Sequence, residues 1–220
     1  MIQFMNLLGY DAMTIGTLDL KYKINELLEL NNLAEFKILS ANLVSKQDKK
    51  TVFEPYEILE KSKRNIAIIG ISPFPLLEEE IEKDIANKYE TTNPIRAIER
   101  IIDEIKYKAN IIVILSSAGR EIDEEIAKNI GKVDIIIGAS SNQPTIEEPI
   151  LIEREDESRA LIVENYILGK RLGKLIVDFN SVGEIKEFEG ELLNLDPEVK
   201  DDEDIANILQ EYLEEIKKDR

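Results

Sequence analysis

The sequence predicts an α/β fold, a layered sandwich with helices flanking mixed β-sheets. Three observations carry this. Helix-like and strand-like segments alternate from Ile2 to Gly138. Strands such as NIAIIGI (Asn65–Ile71) and NIIVIL (Asn110–Leu115) are apolar at nearly every position, as strands covered on both faces must be. From Pro149 onward the alternation gives way to short segments separated by turns, the signature of antiparallel strands.

Taken in order, Ile2–Leu8 reads as the end of a helix and Asp11–Ile15 as a brief buried strand. Asp19–Leu33 places Leu20, Ile24, Leu27, Leu28 and Leu30 at near-helical spacing. Phe36–Val44 reads as one strand and Lys46–Lys50 as a polar turn. Phe53–Leu59 and Asn65–Ile71 follow as a pair of strands. Pro73 and Pro75 break the chain, Glu78–Tyr89 reads as an acidic amphipathic helix or loosely helical lid, and the acidic run Leu76–Asp84 reads as a solvated helix face. Asn93-Pro94 marks a helix start, with Pro in the first turn. That helix runs to about Lys108, with Ile95, Ile98, Ile101, Ile102 and Ile105 on one face. Asn110–Leu115 is a central strand, Ser116–Arg120 a loop and Glu121–Ile130 a helix. Val133–Gly138 is the next strand and Ala139–Thr145 a polar loop. Ile150–Ile152, Ala160–Glu164, Lys174–Phe179 and Ile185–Glu191 read as antiparallel strands, and Asp201–Lys218 as a last amphipathic helix. No repeat or linker divides the chain, so residues 1–220 are read as a single domain.

Composition narrows the chemistry. The 220 residues are 43% hydrophobic and 33% charged, enough for one well-buried core. A net charge of −17 argues against nucleic acid and anionic lipid as partners. Abundant Ile, Glu and Lys suit the surface ion-pair networks of a thermophile. There is no cysteine, hence no disulfide and no thiolate chemistry. The absence of histidine says more. It removes the commonest acid/base group near neutral pH and rules out any Ser-His or Cys-His arrangement. A metal site would need carboxylates, amides and carbonyls, a donor set suited to magnesium, calcium or manganese. No stretch approaches the roughly 18 apolar residues that span a bilayer, and the start lacks a signal-peptide pattern. The chain as written therefore reads as cytoplasmic.

In an α/β layer, ligands gather in the loops that follow the carboxyl ends of strands. Here those loops are Gly16–Asp19, Ala41–Asn42, Ser116–Arg120 and Gly138–Gln143. Gly169, Lys170, Arg171 and Gly173 lack the spacing of a P-loop.

The wording of these segments resembles the metallophosphatase (calcineurin-like) domain of the 5'-nucleotidase and 2',3'-cyclic-nucleotide phosphodiesterase family. LGYDAMTIG resembles the strand that the family follows with Gly-Asn-His-Glu, and ILSANLV its Ser-Ala-Asn strand. NIIVILSSAG resembles its strand ending in Leu-Ser-His-x-Gly, and VDIIIGASSNQPT the strand ending in Gly-Gly-His-Ser-His-Thr. NYILGKRLGKLIVDFN resembles its Tyr-Gly-x-x-Leu-Gly strand, with Gly190, Leu192 and Leu193 continuing the match. Five matches in order cover about residues 2–215.

The resemblance implies a metallophosphatase-like sandwich, and in the family this domain holds two divalent metals that polarise a phosphoester and deliver a hydroxide. It also implies that the chemistry has been lost. Thr17 stands where the family has its metal-binding Asn, and Leu18 where it has its catalytic His. Ser117 replaces a metal His, and Ser140 and Asn142 replace two more. Thr17, Leu18, Asp19, Asn42, Ser117, Ser140 and Asn142 are thus read as vestigial active-site positions, with no catalytic residue, no metal ligand and no cofactor. A recast carboxylate site would draw on Asp11, Asp19 and Asp134, although turn or capping roles suit Asp11 and Asp134 better. Arg120, beside Ser117, Ser140 and Asn142, is the candidate for binding a small anion or nucleotide.

The family's opening metal-binding strands and its C-terminal nucleotide-binding domain have no counterpart in this sequence, so the expected fold is N-terminally truncated. Strands lost from a sheet interior leave open edges and apolar faces, which predicts a homo-oligomer or a partner that completes the sheet. The expected role is a non-catalytic binding or assembly subunit. The alternative readings are a divergent metal-dependent phosphoesterase and a small-anion or nucleotide-binding module.

Overall fold

The computed structural model describes residues 1–76, 81–139, 146–165 and 169–218. Its centre is a six-stranded sheet in the order β4-β5-β7-β8-β10-β9. These strands are β4 (Tyr56–Lys61), β5 (Arg64–Ile71), β7 (Ile111–Ser116), β8 (Ile135–Gly138), β10 (Arg159–Glu164) and β9 (Ile150–Glu153). The inner four run parallel, while β4 and β9 close the two sides as antiparallel edges. The α/β class predicted by the alternation is the class observed.

One face of this sheet carries Ala67, Ile69, Ile71, Ile112, Ile114, Ile136 and Ile162, all buried. Two helices cover it, α4 (Pro94–Ile105) and α5 (Arg120–Asn129). In α4 the 3.6-residue period aligns Ala97, Ile98, Ile101 and Ile105, each buried. Its start is fixed by Asn93, whose side chain accepts the Arg96 N–H at 3.1 Å, and by Pro94 in the first turn.

The opposite face carries a second layer. A parallel pair, β1 (Ala12–Thr14) and β2 (Lys37–Leu39), packs across β4, β5 and β7. With α2 (Ile24–Leu33) and α3 (Lys83–Lys88) it encloses a smaller core that includes Ile15, Leu20, Leu27, Phe36, Ile38, Leu43 and Ile85. The short helix α1 (Ile2–Leu7) is pinned to the end of α2 through Asn6, which donates to the Leu33 carbonyl and accepts from the Glu35 N–H. The two layers meet closely at Gly70. A methyl group there would lie 2.5 Å from Leu39, and only glycine lets β2 pass that near β5. Further along the same face lies a hairpin, β11 (Arg171–Phe179) and β12 (Ile185–Asn194), anchored where Arg64 donates to the Asn180 carbonyl at 2.9 Å.

Four expectations need correcting. Phe36–Val44 is not one strand: it breaks into β2 and β3 (Leu43–Ser45), because Ser40 takes the Leu43 N–H and Gly70 takes the Ala41 N–H. The helix expected from Asp19 is a 3₁₀ turn, Asp19–Lys21, separated from α2 by Tyr22 in extended conformation. The segment around Glu78–Tyr89 yields only α3, followed by β6 (Tyr89–Thr91), which pairs antiparallel with β3; Glu78–Glu80 lie outside the described residues. Ala160–Glu164 is antiparallel to β9, yet it also runs parallel to β8, making it an inner strand of the main sheet. The last helix, α6 (Glu203–Lys218), forms as expected, and none of its described residues is buried.

Candidate functional site

The carboxyl ends of the parallel strands converge on two polar clusters. The first joins the loops after β2 and β5. The Ser40 and Ser72 hydroxyls are 2.7 Å apart. Asn42 accepts the Ser72 N–H at 2.8 Å and donates to the Ser72 carbonyl at 3.1 Å, and its own carbonyl accepts the Thr92 N–H at 2.8 Å. Ser40, Asn42 and Ser72 are fully buried. Buried amides are kept only where such partners exist, and here the bonds of Asn42 tie three loops together.

The second cluster lies over β7, β8 and β10. Parallel register sets Ser116 beside Gly138 and Gly138 beside Glu164, all on the helix-covered face. Gly119, with φ +97°, turns the chain into α5 and brings Arg120 and Asp123 over these strand ends. Arg120 grips Glu164 with two bonds, Nε to Oε1 at 3.0 Å and Nη2 to Oε2 at 2.5 Å. The Glu164 side chain is 1% exposed. The Ser116 hydroxyl donates to Oδ1 of Asp123. The other oxygen, Oδ2, has no hydrogen-bond partner among the described residues. It occupies the space a side chain at position 138 would need, since a methyl on Gly138 would lie 2.7 Å away. Burial is the main cause that pushes the Asp123 carboxyl up to about 7, against the Ser116 hydrogen bond.

The β1 loop approaches from the second layer. Asp19 folds back to accept the Gly16 N–H at 2.8 Å, and a methyl on Gly16 would lie 3.5 Å from Asp19 Oδ2 and 3.7 Å from Ser117 Oγ. Asp19 and Ser117 thus both border Gly16. Desolvation raises the Asp19 carboxyl and the Gly16 N–H opposes it. Thr17 is half-buried and Leu18 is 68% exposed. Ser140 and Asn142 lie outside the described residues.

The three carboxylates of a recast site, Asp11, Asp19 and Asp134, do not converge. Asp19 is at the carboxyl end of β1, whereas Asp11 and Asp134 precede β1 and β8 at their amino ends. Asp11 pairs with Lys61 at 3.1 Å, and Asp134 accepts the Ile112 N–H at 2.8 Å. Among the described residues, no group of three acidic side chains is placed to hold a metal ion. Thr17, Leu18 and Ser117 supply two hydroxyls and an isobutyl group, a poor set for a hydroxide-generating metal. An anion approaching Arg120 would have to compete with Glu164 for the guanidinium.

Sequence reasoning missed Asp123 and Glu164. Each carried a signal: Asp123 interrupts the apolar stripe of α5 three residues before Ile126, and Glu164 ends the otherwise apolar run of β10. Beside this cluster, between the sheet and the hairpin, runs an open groove of about 480 Å³ walled by Val113, Ile135, Ile137, Val163, Leu175 and Val177. Among the described residues no helix is long and apolar enough to cross a membrane.

The layered sheets share their fold with solved phosphoesterases. A calcineurin-like phosphoesterase from Bacillus subtilis matches 97% of the chain with a TM-score of 0.78 and 20% identity, over 72% of its own length. The 5'-nucleotidase precursor of Thermus thermophilus matches 97% with a TM-score of 0.80 and 24% identity, over 45% of its length. No protein-family model matches the chain. In sequence, bovine 5'-nucleotidase is 27% identical over 220 residues, covering 92% of this chain and 38% of the bovine protein. The snake-venom 5'-nucleotidase of Gloydius brevicauda is 28% identical, covering 93% of this chain and 37% of its own. The chain is thus similar over most of its length to 5'-nucleotidases, and it spans about two-fifths of the length of these proteins.

Proposed function

We propose that the chain is a non-catalytic relative of 5'-nucleotidase-type phosphoesterases that acts as a binding or assembly subunit. The observation that carries this reading is the donor set at the loop ends. Thr17, Leu18 and Ser117 stand where the family resemblance expects metal-binding and proton-transferring groups, and the sequence has no histidine to replace them. A phosphoryl oxygen at these loops would meet hydroxyls and one carboxylate, Asp19, already bonded to the Gly16 N–H. The aliphatic groove beside the hairpin supports an assembly role, because open apolar faces are where chains add to one another.

The experiment is elemental analysis of the native protein together with a phosphoesterase assay on nucleotides with manganese added. The expected result is sub-stoichiometric metal and no turnover above a blank. Stoichiometric metal with turnover abolished by Asp19→Ala would overturn the proposal.

A further inference from the structure

We infer that α6 is a homodimerisation element, pairing antiparallel with α6 of a second copy of this chain about a two-fold axis. This goes beyond the reading above and holds whether or not the chain is catalytic.

Helix α6 is 16 residues long and none of its described side chains is buried. Leu209, Tyr212 and Leu213 are 46%, 55% and 48% exposed, and Ile205 and Ile208 lie on the same stripe at i, i+3 and i+4 spacing. A helix so placed gains little from its own domain. Its stripe needs a cover.

The charge pattern of the helix selects the cover. Asp201, Asp202, Glu203 and Asp204 crowd the amino end, and Lys217 lies in the last turn. A parallel pair would set the two acidic ends side by side. An antiparallel pair sets each acidic end beside the lysine end of its partner and opposes the helix dipoles.

The apolar pattern selects the same arrangement. The stripe is symmetric about the helix midpoint, between Gln210 and Glu211. In an antiparallel pair centred there, Leu209 of one copy lies at the level of Tyr212 of the other, and Ile208 at the level of Leu213. Glu211 and Glu214 then lie level with Gln210 and Asn207, so no acidic residue of the mid-helix faces another. Such an isologous contact closes at two copies and does not propagate. Being a single helix pair, it is smaller than a standard interface, so the expected dimer is in reversible exchange with monomer.

The test is sedimentation velocity of the 220-residue protein across a concentration series. A monomer–dimer equilibrium is expected for the wild type. Leu209→Asp with Leu213→Asp should give monomer throughout, with the thermal unfolding of the β-sheet core unchanged because both side chains are exposed and belong to neither core cluster. Lys217→Glu should weaken dimerisation several-fold at low salt and have less effect at high salt. Since the chain has no cysteine, orientation is read from single engineered thiols. A mixture of Leu209→Cys and Tyr212→Cys proteins should form a mixed disulfide under mild oxidation, whereas Ile205→Cys alone should not cross-link. A wild type that is monomeric at every concentration, a dimer that survives the double aspartate variant, or efficient cross-linking of Ile205→Cys would each overturn the inference.

Discussion

The two polar clusters at the strand ends are built on opposite principles. Around Asn42 the groups are neutral, and its amide and both serine hydroxyls are used. Around Asp123 the groups are charged and the matching is uneven: Arg120 satisfies both oxygens of Glu164, while Oδ2 of Asp123 has no partner among the described residues. The first cluster joins loops and is blind to pH. The second stores its stability in one ion pair and one proton, so it is both the more fragile and the one that responds to conditions.

The largest effect is expected from breaking that ion pair on one side. Arg120→Met leaves the Glu164 carboxylate buried without its cation, and uncompensated buried charges of this kind cost about 3–5 kcal/mol. Denaturant unfolding at pH 8 measures it. A loss below about 1 kcal/mol would mean that solvent reaches Glu164 and that the cluster is less closed than the geometry shows. Substituting the pair together, Arg120→Met with Glu164→Leu, should recover much of the loss, since the apolar pair leaves no buried charge.

In the neutral cluster, Asn42→Ala removes hydrogen bonds to the backbone of the Ser72 loop and leaves the Ser72 N–H unpaired in a buried site. That should cost about 2–3 kcal/mol. The comparison with Arg120→Met is sharpest in the pH dependence, where the Asn42→Ala loss should be the same at pH 5 and pH 8. A loss that varied with pH would couple the two clusters, which share no hydrogen bond among those described.

The contrast also explains what the sequence could and could not reveal. Apolar runs such as NIIVIL declare the inner strands, because burial on both faces leaves no room for polar side chains. The Ile98, Ile101 and Ile105 spacing likewise declares the buried face of α4. The strand break at Ser40–Asn42 was only half legible: Ala41–Asn42 read as a strand-end loop, yet FKILSANLV also read as one strand through Val44 until Ser72, thirty-two positions from Ser40, supplies the partners of Ser40 and Asn42. Loop placement was legible for Asp19 and Ser117, which both border Gly16. The site residues were illegible where the chemistry depends on register. Ser116, Gly138 and Glu164 become neighbours only through the pairing of β7, β8 and β10, and Arg120, first read as a candidate for an external anion, has an internal one in Glu164.

The effect most specific to the charged cluster is the pH dependence. Burial raises the folded-state pKa of Asp123 to about 7, well above the ordinary carboxylate value, so the folded protein holds this proton more tightly than the unfolded chain. The stabilisation is complete below the unfolded pKa and is lost as pH rises through about 7. Asp134, whose carboxyl burial also pushes up to about 7, acts in the same direction at the other end of the strands. Wild-type stability should therefore decline between about pH 4 and 7, each group contributing up to about 1.4 kcal/mol per pH unit. Asp48 and Glu90 have lowered pKa values, from hydrogen bonds to the Lys50 N–H and to Lys49, and act below this window with the opposite sign. Asp123→Asn fixes a neutral group in the same volume, so the wild-type advantage over this variant should shrink steadily as pH rises, reaching its minimum above pH 7. Parallel stability profiles for the two proteins, from chemical denaturation at half-unit pH steps, would remove Asp123 as the proton-binding group and leave Asp134 to account for the slope. A double variant with Asp134→Asn that is flat across the window would assign the remaining slope to the far end of the strands and confine pH sensitivity to these two buried carboxyls.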